Sequence, residues 1–238
     1  MPLALLHTKP QGHLTVDCIE NGPINTNTYV LISQGEALIV DPAWDGAELL
    51  RLIAERHPNI SIKGLLCTHG HADHLGGVAG IRRMLGEQTP YLISAIDAQF
   101  VPAARASMKR MWGVDVEDPG KPTRLLHEGD VIQLGDVELQ AILVPGHTKG
   151  GMVYFAATNN GNFAFVGDTL FPGGHGRTDL EGGNTAEILQ SLAKMAHLMP
   201  DDTLCLIGHG PTTTIGKERA ENAFMIHALR HYPQDRYN

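Results

Sequence analysis

The stretch Gly64-Leu65-Leu66-Cys67-Thr68-His69-Gly70-His71-Ala72-Asp73-His74-Leu75-Gly76-Gly77 decides the reading of this chain. Gly64 to Cys67 is a short apolar run of strand type, and Gly76-Gly77 opens a helix-like segment. Between them lie His69, His71, Asp73 and His74. In extended backbone, residues two apart point to the same side, so His69 and His71 can reach one metal ion together. The chain must then turn toward the helix, which lets Asp73 and His74 face a second position beside the first. Neutral imidazole and carboxylate are ligand types that zinc, iron and manganese accept.

Three more fragments place similar chemistry at strand ends. Val144-Pro145-Gly146-His147-Thr148, Val166-Gly167-Asp168-Thr169 and Ile207-Gly208-His209-Gly210-Pro211 each follow an apolar run. Taken singly, a His or Asp there reads as a turn residue. Taken together they form a pattern, because ligands of open α/β sheets gather beyond the carboxyl ends of strands. His147, Asp168 and His209 bring the set to seven, enough for two metal ions sharing one carboxylate. The chain holds 13 histidines, against about five at average usage, and five of them fall in these motifs.

Outward from the motifs, strand-like runs lie at 13–19, 27–32, 37–40, 64–67, 91–93, 131–134, 137–144, 152–156, 163–166 and 203–207. Helix-like stretches lie at 46–56, 76–85, 98–112, 185–197 and 217–230. Strands alternate with helices, yet several strands follow one another through short turns. That mixture predicts an α/β chain of two mixed sheets packed together with helices outside. A single domain over 1–238 is expected, with 115–123 as a loop. The helix at 98–112 carries Arg105, Lys109 and Arg110 on one side and Met108, Met111 and Trp112 close by. It reads as a packed amphipathic helix with a solvated basic face, with a lid over the site as the alternative.

Composition bounds the function. Hydrophobic residues at 42% are enough for a sizeable core, and a net charge of −8 argues against a nucleic-acid surface. No run approaches the roughly 18 apolar residues of a spanning helix, and the start has no basic region before its short apolar patch. Cys18, Cys67 and Cys205 sit in apolar runs without a CxxC pair, so three buried thiols and a cytoplasmic protein are expected.

The motifs THGHADH at 68–74, PGHT at 145–148, GDTLF at 167–171 and GHGP at 208–211 resemble those of the metallo-β-lactamase-fold hydrolases. Within that group they resemble the glyoxalase II (hydroxyacylglutathione hydrolase) branch. GRTDL at 176–180 and GHGPTTTIGKER at 208–219 are similar to its short, single-domain members. The resemblance implies a four-layer αββα sandwich with the site at one edge. It implies that His69, His71 and His147 hold one metal, that Asp73, His74 and His209 hold the other, and that Asp168 bridges them. Asp41, in IVDPA, would support the metal loops without binding metal.

The implied activity is hydrolysis of a small acyl thioester such as S-lactoylglutathione by a metal-bound hydroxide. Two divalent ions are expected, zinc first, with iron or manganese as alternatives. Asp73 and Asp168 are the catalytic carboxylates of this reading. Arg177 is assigned to a substrate carboxylate, which a guanidinium pairs bidentately, and His175 is a further substrate candidate. Only 29 residues follow His209, so glutathione specificity of the kind that a long C-terminal helical region gives larger family members is not expected. The competing activities on the same fold are a mononuclear-iron persulfide dioxygenase and a lactone or ester hydrolase. A metal-storing module fits poorly, since structural zinc sites are closed and four-coordinate. The sequence does not say what the oligomeric state is.

Overall fold

The computed structural model describes residues 9–234. One six-stranded sheet contains β1 (Thr15–Asn21), β2 (Thr26–Ser33), β3 (Glu36–Val40), β4 (Ser61–Leu66), β5 (Tyr91–Ser94) and β6 (Arg124–Leu126), in that spatial order. The first three pair antiparallel, and β3 to β6 pair parallel. The second sheet has β7 (Val131–Leu134), β8 (Val137–Leu143), β9 (Met152–Thr158), β10 (Gly161–Gly167), β13 (Leu204–Ile207) and β14 (Thr213–Thr214), ordered β14-β13-β10-β9-β8-β7. It is antiparallel except for the β10–β13 pair. A small ribbon joins β11 (Leu170–Phe171) to β12 (Gly174–His175).

Period-two alternation builds the layers. Leu38, Val40, Leu66, Tyr154, Phe165 and Leu206 face one another in a core between the two sheets. Their chain neighbours point outward. Ile39 and Leu65 pack under α1 (Gly46–Arg56), α2 (Ala72–Leu75), α3 (Val78–Leu85) and α4 (Val101–Trp112). Phe155, Val166 and Ile207 pack under α5 (Thr185–Leu198), α6 (Ile215–Glu221) and α7 (Ala223–His231). Helix, sheet, sheet and helix therefore stack in four layers, the αββα sandwich that the motifs imply. Both sheets are buried on two faces, which explains why β2, β9 and β10 read as nearly continuous apolar runs.

Several boundaries differ from the sequence reading. The helix expected at 217–230 is two helices. Asn222 breaks it: its side-chain oxygen accepts from Phe224 N at 3.0 Å and Met225 N at 3.2 Å, capping α7, while its amide donates to Gly174 O at 2.9 Å. The helix expected from residue 76 starts at Val78 and is preceded by the one-turn α2, which carries Asp73 and His74. The segment at 98–112 begins as a 3-10 turn, Asp97–Gln99, before α4. β6 and the two-residue strands have no alternation to betray them. Cys18 is exposed, not buried as expected, because it lies on edge strand β1; Cys67 and Cys205 are buried. No helix among the described residues is long and apolar enough to cross a membrane.

Candidate metal centre

The carboxyl ends of β3, β4, β5, β8, β10 and β13 lie along one edge of the sandwich. The loops that leave them bring together all seven residues assigned to metal. His69 follows β4, and His71 immediately precedes α2. Asp73 and His74 ride on the single turn of α2, whose short length keeps both at the sheet edge. His147 follows β8, Asp168 follows β10 and His209 follows β13. Ligand atoms of His69, His71 and His147 lie within 4.8 Å of one another, and so do those of Asp73, His74 and His209.

Asp168 stands between the two trios. Its Oδ2 is 3.6 Å from His147 Nε2 and 3.5 Å from His209 Nε2, and its Oδ1 is 3.4 Å from His74 Nε2. Asp73 Oδ2 is 3.3 Å from both His74 Nε2 and His209 Nε2. Atoms bonded tetrahedrally to one ion at about 2.0–2.1 Å are separated by roughly 3.3 Å, so these spacings suit atoms that share a cation. Nε2 of His69, His74 and His147, and Oδ1 of Asp168, are buried without a hydrogen-bond partner among the described residues. Buried polar atoms are rarely left so, and orphaned lone pairs clustered in this way fit divalent ions.

The opposite ring nitrogens explain how Nε2 is kept free. His147 Nδ1 donates to Arg177 O at 2.8 Å, and His209 Nδ1 lies 3.2 Å from Ile24 O. His74 Nδ1 donates to Asp41 Oδ2 at 3.0 Å. Thr68 Oγ1 donates to that same oxygen at 2.7 Å and accepts from His69 Nδ1 at 3.0 Å. Each contact places the proton on Nδ1 and leaves Nε2 as the donor atom toward an ion, the outer-shell arrangement of metal-bound histidine. Asp41 also groups with His69 and His74, but its oxygens are taken up by Thr68 N at 2.7 Å, Thr68 Oγ1 and His74. It acts as a support.

Charge in the cluster is set by burial and by the carboxylates. Burial pulls His69 well below the ordinary imidazole range, and His71 down to about 4, with neighbouring histidines adding to the effect. Burial also opposes protonation of His74 and His209. The surrounding carboxylates outweigh it, Asp73, Asp168 and Asp41 for His74 and Asp168 with Asp73 for His209, and hold both above the ordinary range. Asp168 and Asp73 are held well below the usual carboxylate range by those imidazoles, against burial. A buried group of carboxylates that draws protons onto two histidines calls for positive charge, which metal ions would supply.

Sequence reasoning missed several parts. Asp97, buried at the end of β5, ties the two His-bearing loops together. It accepts from Gly70 N at 2.9 Å, Thr148 Oγ1 at 2.7 Å and Gly150 N at 2.6 Å. Its position just past a strand end was the available signal. Asn27 opens β2 and donates to Ile207 O at 3.0 Å and Gly210 O at 2.9 Å, fixing the His209 loop. Arg177 borders the cavity beside the centre, but its guanidinium is half-exposed and forks onto Asp179 with two contacts of 2.7 Å. The contribution of Arg177 visible at the centre is its carbonyl, on His147. His175, the other substrate candidate, is not among the residues lining the cavity. Its ring packs edge-on against Phe224 at 4.5 Å, on the side of α7.

The cavity itself measures about 440 Å³, within the range of about 300–1,000 Å³ usual for small-molecule sites. His71, Asp73, His147, Asp168 and His209 form its floor, and α4 forms a wall. The basic face expected for α4 is at the surface, where Lys109 pairs with Asp115 in solvent and Arg105 bonds Val116 O and Asp118.

A family model described as the metallo-beta-lactamase superfamily matches residues 21–209. A hydroxyacylglutathione hydrolase, GloC, of Haemophilus influenzae is 30% identical over 197 residues, covering 79% of this chain and 87% of its own. Among solved structures, the BLEG-1 B3 metallo-beta-lactamase aligns with a TM-score of 0.79 at 30% identity, over 89% of this chain and 99% of that one. TTHA1623 in a di-iron-bound form aligns with a TM-score of 0.77 at 31% identity, over 88% and 100%.

Proposed function

Because the chain belongs to the metallo-beta-lactamase superfamily, we propose that it hydrolyses a small acyl thioester with two divalent transition-metal ions. His69, His71 and His147 would hold one ion and Asp73, His74 and His209 the other, with Asp168 between them. The observation that carries the reading is the convergence of His74, His147 and His209 Nε2 on Asp168, the first two of them buried without a hydrogen-bond partner among the described residues, so that its carboxylate faces both trios. When bound, such a pair of ions supplies Lewis acidity and lowers the pKa of water to near neutrality.

The residues do the rest. Asp168 would offset part of the positive charge of bound ions, since its carboxylate faces both trios. Asp73 Oδ2 borders the cavity and can take up the proton released by the attacking water. A thiolate leaves without a strong general acid, so the cavity floor needs no further acidic side chain. The outer partners Asp41, Asp97 and the Arg177 carbonyl hold the histidines in place through turnover. Zinc suits the donor set, and the likeness to a protein solved with two irons makes iron the second ion to test. Similarity to a hydroxyacylglutathione hydrolase supports the thioester as substrate.

The test is elemental analysis of protein refolded or expressed with zinc or iron, paired with hydrolysis of S-lactoylglutathione and simpler acyl thioesters. About two ions per chain and metal-dependent thioester cleavage are expected. Saturation at one ion sinks the dinuclear reading. Oxygen uptake with glutathione persulfide on iron-loaded protein, without thioester cleavage, transfers the assignment to a dioxygenase. Cleavage of lactones or β-lactams alone transfers it to those hydrolases.

A further inference from the structure

One wall of the cavity is out of keeping with a charged thiol such as glutathione. Phe100, which caps α4, and Ala104, Met108 and Met111 within it recur along one face at spacings of three and four residues, and Trp112 stands at its end. All five line the cavity, with Leu180 beside them. Met111 is 50% exposed and Trp112 56% exposed, while Met108 is packed into the core at their base, so the outer part of the wall is unfilled apolar surface near the metal residues. Its place is fixed from the N-terminal end. The 3-10 turn leading into α4 starts at Asp97, which is bonded to the loops of His71 and His147. The charges of the helix are drawn to its other side by Asp115, Asp118 and Val116 O.

Two cationic residues border the cavity. Arg177 is taken by Asp179, and Lys149 places its ammonium 5.3 Å from the centre of the Phe100 ring. A tripeptide with two carboxylates would find few partners here. A flexible hydrocarbon chain would find many, since methionine side chains adapt to varied apolar shapes.

We infer that the α4 wall is a subsite for an apolar acyl chain, so that the substrate class is a medium-chain acyl thioester and not a hydroxyacyl glutathione. The inference rests on the thioester reading above. The scissile carbonyl lies over Asp73 and Asp168, and the acyl chain runs along Phe100, Ala104 and Met108 toward Met111 and Trp112.

The experiment uses full-length, metal-loaded protein and thioesters of one neutral thiol, N-acetylcysteamine, from acetyl to octanoyl. Affinity for the matching uncleavable S-alkyl thioethers is measured by calorimetry. In the wild type, kcat/KM should rise about fourfold per added methylene until the wall is covered, and thioether affinity should rise in parallel. Met111→Gln combined with Trp112→Ala should flatten both gradients; the two side chains are half-exposed, so the fold tolerates the change. Thioester cleavage with no gradient in rate or affinity overturns the subsite and leaves the thioesterase standing. No cleavage of any thioester, with the affinity gradient intact, overturns the thioesterase and leaves the subsite.

Discussion

Gly208 crosses so close to Asp168 that a Cβ on it would collide with the carboxylate Oδ1 and lie 2.7 Å from Cε1 of His74. The carboxylate that faces both trios therefore needs a glycine just past the end of the neighbouring parallel strand β13. Gly167 is similar: its φ is +49°, and a Cβ there would lie 2.8 Å from Thr68 Cβ. Gly208→Ala should displace Asp168 and lower metal affinity by at least about tenfold, the scale of an outer-shell loss. Metal content after dialysis against a weak chelator checks this; full retention would show that the carboxylate is placed some other way.

Asp168→Ala should cost more metal and more activity than His209→Ala. Asp168 lies 3.4–3.6 Å from three histidine nitrogens of both trios, whereas His209 belongs to one trio. On the dinuclear proposal, removing the shared carboxylate would leave two cations without an anion between them. Ions per chain and kcat, measured side by side for the two variants, decide; near-intact activity in Asp168→Ala would reassign the bridge.

Asp97→Asn is expected to destabilise the fold even without metal. Asp97 accepts from Gly70 N, Gly150 N and Thr148 Oγ1 in a buried position, and an amide cannot accept at both ends. At least one buried donor loses its partner, at a cost of about 1–3 kcal/mol. For a chain of this length that lowers Tm by roughly 2–12 °C, read by thermal unfolding in chelator. An unchanged Tm would mean that ordered water replaces the lost acceptor.

Metal removal should itself lower Tm and be reversible. An ion that binds only the folded chain adds about 2.7 kcal/mol at one hundred times its Kd, or roughly 5–11 °C here. The buried Nε2 atoms of His69, His74 and His147 are what lose their partner. Thermal scans with chelator and then with restored zinc check it; identical curves would argue against metal in these positions.

Arg177→Ala should change KM little, by less than about fivefold. Its guanidinium is half-exposed and already paired with Asp179, an interaction class worth about 0–1 kcal/mol, and the carbonyl that receives His147 Nδ1–H survives the substitution. A much larger rise in KM would show that a substrate carboxylate displaces Asp179.

The residues that converge on the centre were legible in the sequence because each sits in a short motif at the end of an apolar run. Strand periodicity and glycine-rich turns are local properties, and they place His69, His71, Asp73, His74, His147, Asp168 and His209 at a common sheet edge. Two packed mixed sheets with helices outside followed from the order of strand-like and helix-like runs, and the four-layer sandwich from the family resemblance of the motifs. What only the tertiary structure decided is who supports those residues. Asp97 reaches partners 27 to 53 positions away, Asn27 one 180 positions away, and His147 a backbone carbonyl 30 positions away. Nothing beside these residues in sequence announces such contacts. The face that α4 turns to the cavity was equally hidden. Its amphipathic pattern says that one side is apolar, but only the seating of Val101 and Met108 in the core and the tie of Asp97 to the two histidine loops decide that this side borders the metal residues. Local periodicity specifies an element and its polarity. Only the long-range hydrogen bonds of the closed chain specify what that element faces.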